Sequence, residues 1–201
     1  MREIDCGQRS DEWFAVRLGI PSASKFDRIV TGKGDPSKQA QAYLYELAAE
    51  RISRHAENGF TSAAMERGIE LEEEARLVYA MLYESPVREV GFCLSDDGRY
   101  GCSPDGLVGE DGQVELKCPM GKTHVEYLMK GTLPTDYVQQ VQGGLFVTGR
   151  DWCDFVSYYQ GLPLFVLRIG PDQEFHEALR RELTAFCDRL DELCADLGRK
   201  Q

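Results

Sequence analysis

Two extended segments, Tyr100 to Val108 and Gln113 to Cys118, are separated by the turn formers Gly109, Asp111 and Gly112. The pair therefore reads as a β-hairpin. No other stretch constrains the fold as tightly, because a hairpin fixes which side chains can meet. With the turn centred near Glu110 and Asp111, Asp105 falls opposite Glu115 and Leu116. Side chains alternate along a strand, so Glu115 and Lys117 share one face while Leu116 turns into the core. Two carboxylates and an ammonium then converge. Hard oxygen acids of this kind suit Mg²⁺ or Mn²⁺. A lysine beside them can orient a water or help to deprotonate it. The pattern points to metal-assisted phosphodiester hydrolysis, although a bare acid-x-lysine triplet also fits an exposed salt-bridged hairpin.

Around the hairpin the chain alternates helices and strands. Ser10 or Asp11 caps a short helix carrying Trp13 and Phe14, both expected in the core. Gly19 and Pro21 break it, and Ser22 or Ser24 can cap a second helix reaching Val30. Spare amides at that helix start, with Arg17 nearby, could make an anion site, although spacing alone favours an ordinary capped helix with a surface arginine. Thr31 to Ser37 is a polar loop carrying Lys33, with Lys38 just beyond it. A helix from Gln39 to about His55 buries Leu44, Leu47, Ala48 and Ile52.

The next helix, Thr61 to about Tyr83, buries Leu71, Ala75, Val78 and Leu82. Its acids sort by angle. Glu73 points away from the buried stripe, Glu70 lies well off it, and Glu72 and Glu74 flank it on opposite edges. One edge acid could reach a metal site, and periodicity does not choose between Glu72 and Glu74.

Val87 to Leu94 reads as a strand before the hairpin. A helix from Thr123 to Lys130 follows it, with His124 expected on its surface. Asp136 to Val147 is a further helix whose Gly143-Gly144 pair implies close packing. Two strands, Trp152 to Tyr159 and Pro163 to Ile169, precede a long amphipathic helix from Asp172 to Leu197. This order gives an α/β (α+β) domain with a mixed central sheet flanked by helices, read as one domain over residues 1–201.

No apolar run reaches membrane-spanning length, and the N-terminus is too polar for a signal peptide. Seven cysteines without a Cys-x-x-Cys pair argue for reduced thiols in a cytoplasm and against structural zinc. The net charge of −11 counts against a nonspecific grip on nucleic acid, which usually takes a basic surface.

Four ordered stretches nevertheless resemble one family. They are Arg17-Leu18-Gly19-Ile20-Pro21-Ser22-Ala23-Ser24, Arg67-Gly68-Ile69-Glu70-Leu71-Glu72, Asp105 with Glu115-Leu116-Lys117, and Gln140-Val141-Gln142. Together they are similar to the phage lambda exonuclease and YqaJ-type viral recombinases of the PD-(D/E)xK nuclease superfamily. The resemblance implies a restriction-endonuclease-like core and a Mg²⁺-dependent 5′-to-3′ exonuclease acting on linear double-stranded DNA. Its products would be 5′-mononucleotides and a 3′ overhang. It selects Glu72 over Glu74. Asp105, Glu115, the Leu116 carbonyl and Glu72 would hold two Mg²⁺ ions, with Mn²⁺ as a substitute, and Lys117 would position the water. Arg17, Ser24, Ser103 and Gln142 would line a pocket for the terminal 5′-phosphate. A homotrimeric ring and a phage single-strand annealing protein are implied as well. The Thr31 to Ser37 loop and the Asn58-Gly59-Phe60 turn are the candidates for splitting the duplex. The alternatives are a restriction-type or junction-cleaving endonuclease and a non-catalytic assembly module on the same fold.

Overall fold

The computed structural model describes residues 1–56 and 63–199. Strand β1 (Arg2–Ile4) and helix α1 (Asp11–Arg17) lead into a 3-10 segment, Ala23–Arg28. Helices α2 (Ala40–Ser53) and α3 (Ala63–Leu82) follow. The strand run is β2 (Val87–Arg88), β3 (Phe92–Leu94), β4 (Gly101–Cys102), β5 (Gly106–Val108) and β6 (Gly112–Lys117). Helix α4 (Gly121–Lys130), a 3-10 turn at Thr135–Tyr137 and helix α5 (Val138–Thr148) precede β7 (Trp152–Ser157) and β8 (Phe165–Ile169), and α6 (Gln173–Gly198) closes the fold. The candidate duplex-splitting turn Asn58-Gly59-Phe60 and the expected helix start at Thr61 lie outside the described residues.

The strands form two sheets. The smaller is ordered β1-β3-β4 and the larger β2-β5-β6-β7-β8. In the larger sheet β6 and β7 run parallel while the other pairs are antiparallel. A parallel pair needs a long crossover, and α4 with α5 supplies it. The sequence patterns expected as two strands, Val87 to Leu94 and Tyr100 to Val108, each break in the middle. Both change sheets there, at Glu89-Val90-Gly91 and at Ser103-Pro104-Asp105. Gln8 staples the two crossings by donating to Val90 O at 2.8 Å and Pro104 O at 2.9 Å. Gly91 is required at its crossing, because a Cβ would lie 2.2 Å from the Cys6 carbonyl oxygen.

Helices cover both faces of the larger sheet. On one face Tyr79 of α3 packs with Val108, Val114, Leu116 and Val156. On the other, Val141 and Leu145 of α5 pack with Cys153, Phe155 and Phe165. The apolar stripe of α6 is buried against α2, with Phe175, Leu179, Leu183, Phe186 and Leu190 meeting Leu44 and Leu47. Each such side chain contributes roughly 1.5–3 kcal/mol relative to leaving it in water. Asp172 caps α6 by accepting from the Phe175 N–H at 3.0 Å.

Several expectations are corrected. Leu82 is exposed and Tyr79 takes its place in the stripe, because the Tyr79 hydroxyl reaches buried Asp154 at 2.7 Å. His124 is fully buried rather than on the surface. Its ring bridges Ser157 Oγ at 2.8 Å and Pro163 O at 2.9 Å, tying α4 to the β7–β8 corner. Phe14 is exposed. The segment after Ser22 is a six-residue 3-10 helix without a side-chain cap, so it offers no α-helical anion site. All seven cysteines are free thiols. Among the described residues no helix is long and apolar enough to cross a membrane.

Candidate active site

The hairpin register pairs Gly106 with Val114 and Val108 with Gly112. Asp105 therefore stands at the mouth of β5, beside the Glu115-Leu116 peptide. Its Oδ2 accepts the Leu116 N–H at 2.6 Å. Val114 and Leu116 face α3, whereas Glu115 faces α5, where its Oε1 accepts from both Lys117 Nζ and Gln140 Nε2. The face assignment of Glu115 and Lys117 matches the alternation expected of the strand.

The electrostatics follow from this crowding. Loss of water around Asp105 and the charge of Glu115 push its carboxyl up to about 8, against the pull of Lys117 and the Leu116 N–H. Burial alone would lower the Lys117 ammonium, but Glu115 and Asp105 more than reverse that and raise it. Lys117 is therefore held as an ammonium beside the two acids, where it can hold and point a water. Two hard carboxylates short of positive charge, with a peptide carbonyl at the same strand end, are a fitting donor set for a divalent cation.

Glu72 comes from α3, across the sheet from Glu115. It lies near enough to raise the Asp105 pKa by its charge. Its Oε2 accepts from Arg9, and its Oε1 accepts from Arg76 Nη2 at 3.2 Å. With both oxygens engaged, Glu72 is not drawn in with Asp105 and Glu115: among the described residues, no three acidic, His or Cys side chains gather closely enough to hold an ion. The opposite edge acid, Glu74, accepts from Tyr158 OH at 2.6 Å. Of the two edge acids, Glu72 is thus the one beside Asp105.

A cavity of about 180 Å³ opens next to these acids, lined by Arg9, Arg17, Ser24, Ser103, Asp105 and Glu115 among others. The Arg17 guanidinium donates to Ser103 Oγ at 3.0 Å and lies 3.9 Å over the Trp13 ring. The Trp13 indole N–H is shared between Gly91 O at 3.0 Å and Ser103 Oγ at 2.9 Å. Ser103 in turn donates to Gly91 O at 2.9 Å. Trp13, expected only as core, is therefore the platform that holds Arg17. Among the described residues Arg17 has no carboxylate partner, and burial lowers its pKa. A half-buried cation compensated by hydroxyls and an aromatic face is a strong attractor for an anion. Ser24 is exposed on the wall and meets Ser22 Oγ at 3.2 Å.

Gln142 is not brought to this cavity. Its amide donates to Gly170 O at 3.0 Å and accepts from Asp172 N at 2.9 Å, tying α5 to the start of α6. Gln140 lines the cavity instead. Residues two apart on a helix point in nearly opposite directions, so only one of the two glutamines could face the acids. Gln113 was missed as well; it is buried beside Glu115, where Thr148 Oγ1 donates to it at 2.8 Å.

The YqaJ-like viral recombinase domain family matches residues 12–151. The chain is also similar to the alkaline exonuclease of Laribacter hongkongensis. Identity is 38%, the match covers 95% of this chain and 97% of that one, and the TM-score is 0.86. The same exonuclease in complex with dAMP matches with 37% identity over 95% of this chain and 97% of that one, with a TM-score of 0.85. A phage-related exonuclease from Haemophilus somnus 129PT shares the fold at 15% identity, over 89% of this chain and 96% of that one, with a TM-score of 0.70. Among curated protein sequences no relative is found.

Proposed function

The chain belongs to the YqaJ-like viral recombinase domain family, and on that footing we propose that it is a 5′-to-3′ exonuclease of linear duplex DNA. It would start from a 5′-phosphorylated end, release 5′-mononucleotides and leave a 3′ overhang for recombination by strand annealing. The observation that carries this reading is the convergence of Asp105, Glu115 and Lys117 at the edge of a cavity holding Arg17, which has no carboxylate partner among the described residues.

Asp105, Glu115 and the Leu116 carbonyl would hold Mg²⁺ or Mn²⁺, with Glu72 serving a second ion. Such ions supply Lewis acidity at the scissile phosphate and stabilise the leaving 3′-oxygen. The protein's own residues do the positioning. Gln140 and Lys117 fix Glu115, and the Lys117 ammonium holds a water for in-line attack. Arg17, backed by Ser103 and Trp13, would take the terminal 5′-phosphate, with Ser24 on the wall of the same cavity. An anion pocket beside the hydrolytic acids favours strands that end in a 5′-phosphate, which sets direction. The homotrimeric ring and the annealing-protein partner rest on family membership. A ring would retain DNA by enclosure, which reconciles the activity with a net charge of −11.

Digestion of end-labelled linear duplex with 5′-phosphate or 5′-hydroxyl ends, with and without Mg²⁺, tests the proposal. Mononucleotide release that needs Mg²⁺ and prefers 5′-phosphate is expected. Equal cutting of covalently closed circular duplex would make the protein an endonuclease, and no cleavage of any substrate would make it a binding or assembly module.

A further inference from the structure

Arg9 is the residue that the reading above leaves without a task. Its backbone is left-handed, with φ of 69°, immediately before the helix cap Ser10. That conformation suits glycine and strains a residue with a side chain. In return the fold gains a single exposed ion pair, to Glu72, and exposed pairs contribute little. Among the described residues the Arg9 guanidinium has no other partner. The side chain is nonetheless placed on the wall shared by the Arg17 cavity and a second cleft lined by Glu72, Glu73, Arg76 and Glu89.

The two guanidinium partners of Glu72 are unequal. Arg76 is 13% exposed and is also anchored to Asp105 O at 3.2 Å and to Glu89 Oε1 at 3.0 Å. Arg9 is 42% exposed and can swing without breaking anything else. A divalent cation on Glu72 would compete for the carboxylate charge that holds its two guanidinium partners and would repel them, so the more weakly held arginine can leave. Arg9 is the one free to do so, and the mouth of the Arg17 cavity lies within its reach.

Resting on the nuclease reading, we infer that Arg9 is a substrate-positioning residue that trades Glu72 for a backbone phosphate of the incoming strand. A divalent cation and Arg9 compete for the same carboxylate. Cation loading therefore frees a positive charge where the strand enters, and coupling between cation and DNA binding passes through this one side chain.

The test uses the full chain and Arg9→Gly, a substitution that the left-handed backbone favours, with Arg9→Lys as the charge-retaining control. Anisotropy of a fluorescent 5′-phosphorylated duplex is measured in Ca²⁺ and in chelator, and Mn²⁺ binding to the DNA-free protein is measured by calorimetry. Arg9→Gly is expected to weaken DNA binding about tenfold in Ca²⁺ and less than twofold in chelator, while tightening Mn²⁺ binding severalfold; Arg9→Lys recovers part of the DNA affinity. Equal loss in Ca²⁺ and chelator, no loss in either, or unchanged Mn²⁺ affinity would overturn the inference. If the unsubstituted protein neither binds Mn²⁺ nor cleaves DNA, it is the nuclease reading itself that fails.

Discussion

Asp105 Oδ2 accepts the backbone N–H of Leu116 at 2.6 Å, so the aspartate is aimed by the strand ladder itself rather than by another side chain. Asparagine can keep that hydrogen bond while losing the charge. Asp105→Asn is therefore expected to fold and to lose cation-dependent DNA hydrolysis by a factor of about 10³ or more. Circular dichroism and a nuclease assay on one preparation check both halves.

The pKa of Asp105, pushed up to about 8, makes stability depend on pH. Between an ordinary carboxylate pKa near 4 and that value, the folded protein holds a proton the unfolded chain has released. Stability without divalent cations is then greatest at the acid end of this window and falls as pH rises through about 8. Melting temperature in chelator should be lower at pH 9 than at pH 6. Added Mg²⁺ should raise it more at pH 9, and Asp105→Asn should flatten the difference. A Mg²⁺ effect independent of pH would contradict the assignment.

Lys117 carries a positive charge because Glu115 and Asp105 hold it there. Lys117→Ala should reduce turnover by about 10²–10⁴ and leave duplex affinity within a few-fold of the parent. Single-turnover kinetics beside equilibrium binding separates the two. A near-normal rate would remove Lys117 from the water's environment.

Arg17 rests on Trp13 and Ser103 and, among the described residues, has no carboxylate partner at the cavity. Removing a charge-assisted grip costs about 1.5–3 kcal/mol, so Arg17→Ala should cut the preference for 5′-phosphate over 5′-hydroxyl ends by about 10–100-fold. Trp13→Leu should weaken the same preference by less, since the arginine remains but loses its platform. An unchanged substrate ratio in both variants would place the phosphate pocket elsewhere.

Gly143 sets how closely α5 approaches the 3-10 segment. A Cβ there would stand 2.5 Å from Phe26 Cδ2 and 3.2 Å from Ala23 Cβ. Gly143→Ala should destabilise the fold by about 1–3 kcal/mol, as read by urea unfolding. Because the displaced segment carries Ser24, the 5′-phosphate preference should soften as well.

What could be read from the residues is what depends on local periodicity. The hairpin register, the facing of Glu115 and Lys117 and the stripe of α6 are each set by neighbours a few positions away. The close packing expected at Gly143-Gly144 is present because a glycine pair within a helix has little other use. The sheet change in the middle of two strand-like patterns was not legible, because the two crossings are stapled by Gln8, 82 and 96 positions from the carbonyls it binds. His124 was misjudged for a similar reason: its burial comes from the β7–β8 corner, not from its own helix. For the glutamines of α5, the resemblance supplied a motif but not its rotation, and helix geometry assigns Gln140 to the acids and Gln142 to α6. Trp13 carries no signal of its indole bond to Ser103, a residue 90 positions away in sequence.

The two side-by-side crossings that Gln8 staples have a consequence for measurement at the site. Arg17 is tied through Ser103 to the junction itself, while Asp105 leads from it into β5 and Glu115 lies on β6 of the larger sheet. The span from Arg17 to the carboxylates is therefore a ruler anchored at one end in the junction and at the other in the larger sheet. Lengthening either crossing by one residue would slide its ends apart by up to a strand's rise, about 3.3 Å. For the proposed exonuclease, the step along the strand would thus be set by how two sheets are joined, and could be retuned without touching any group that meets the substrate.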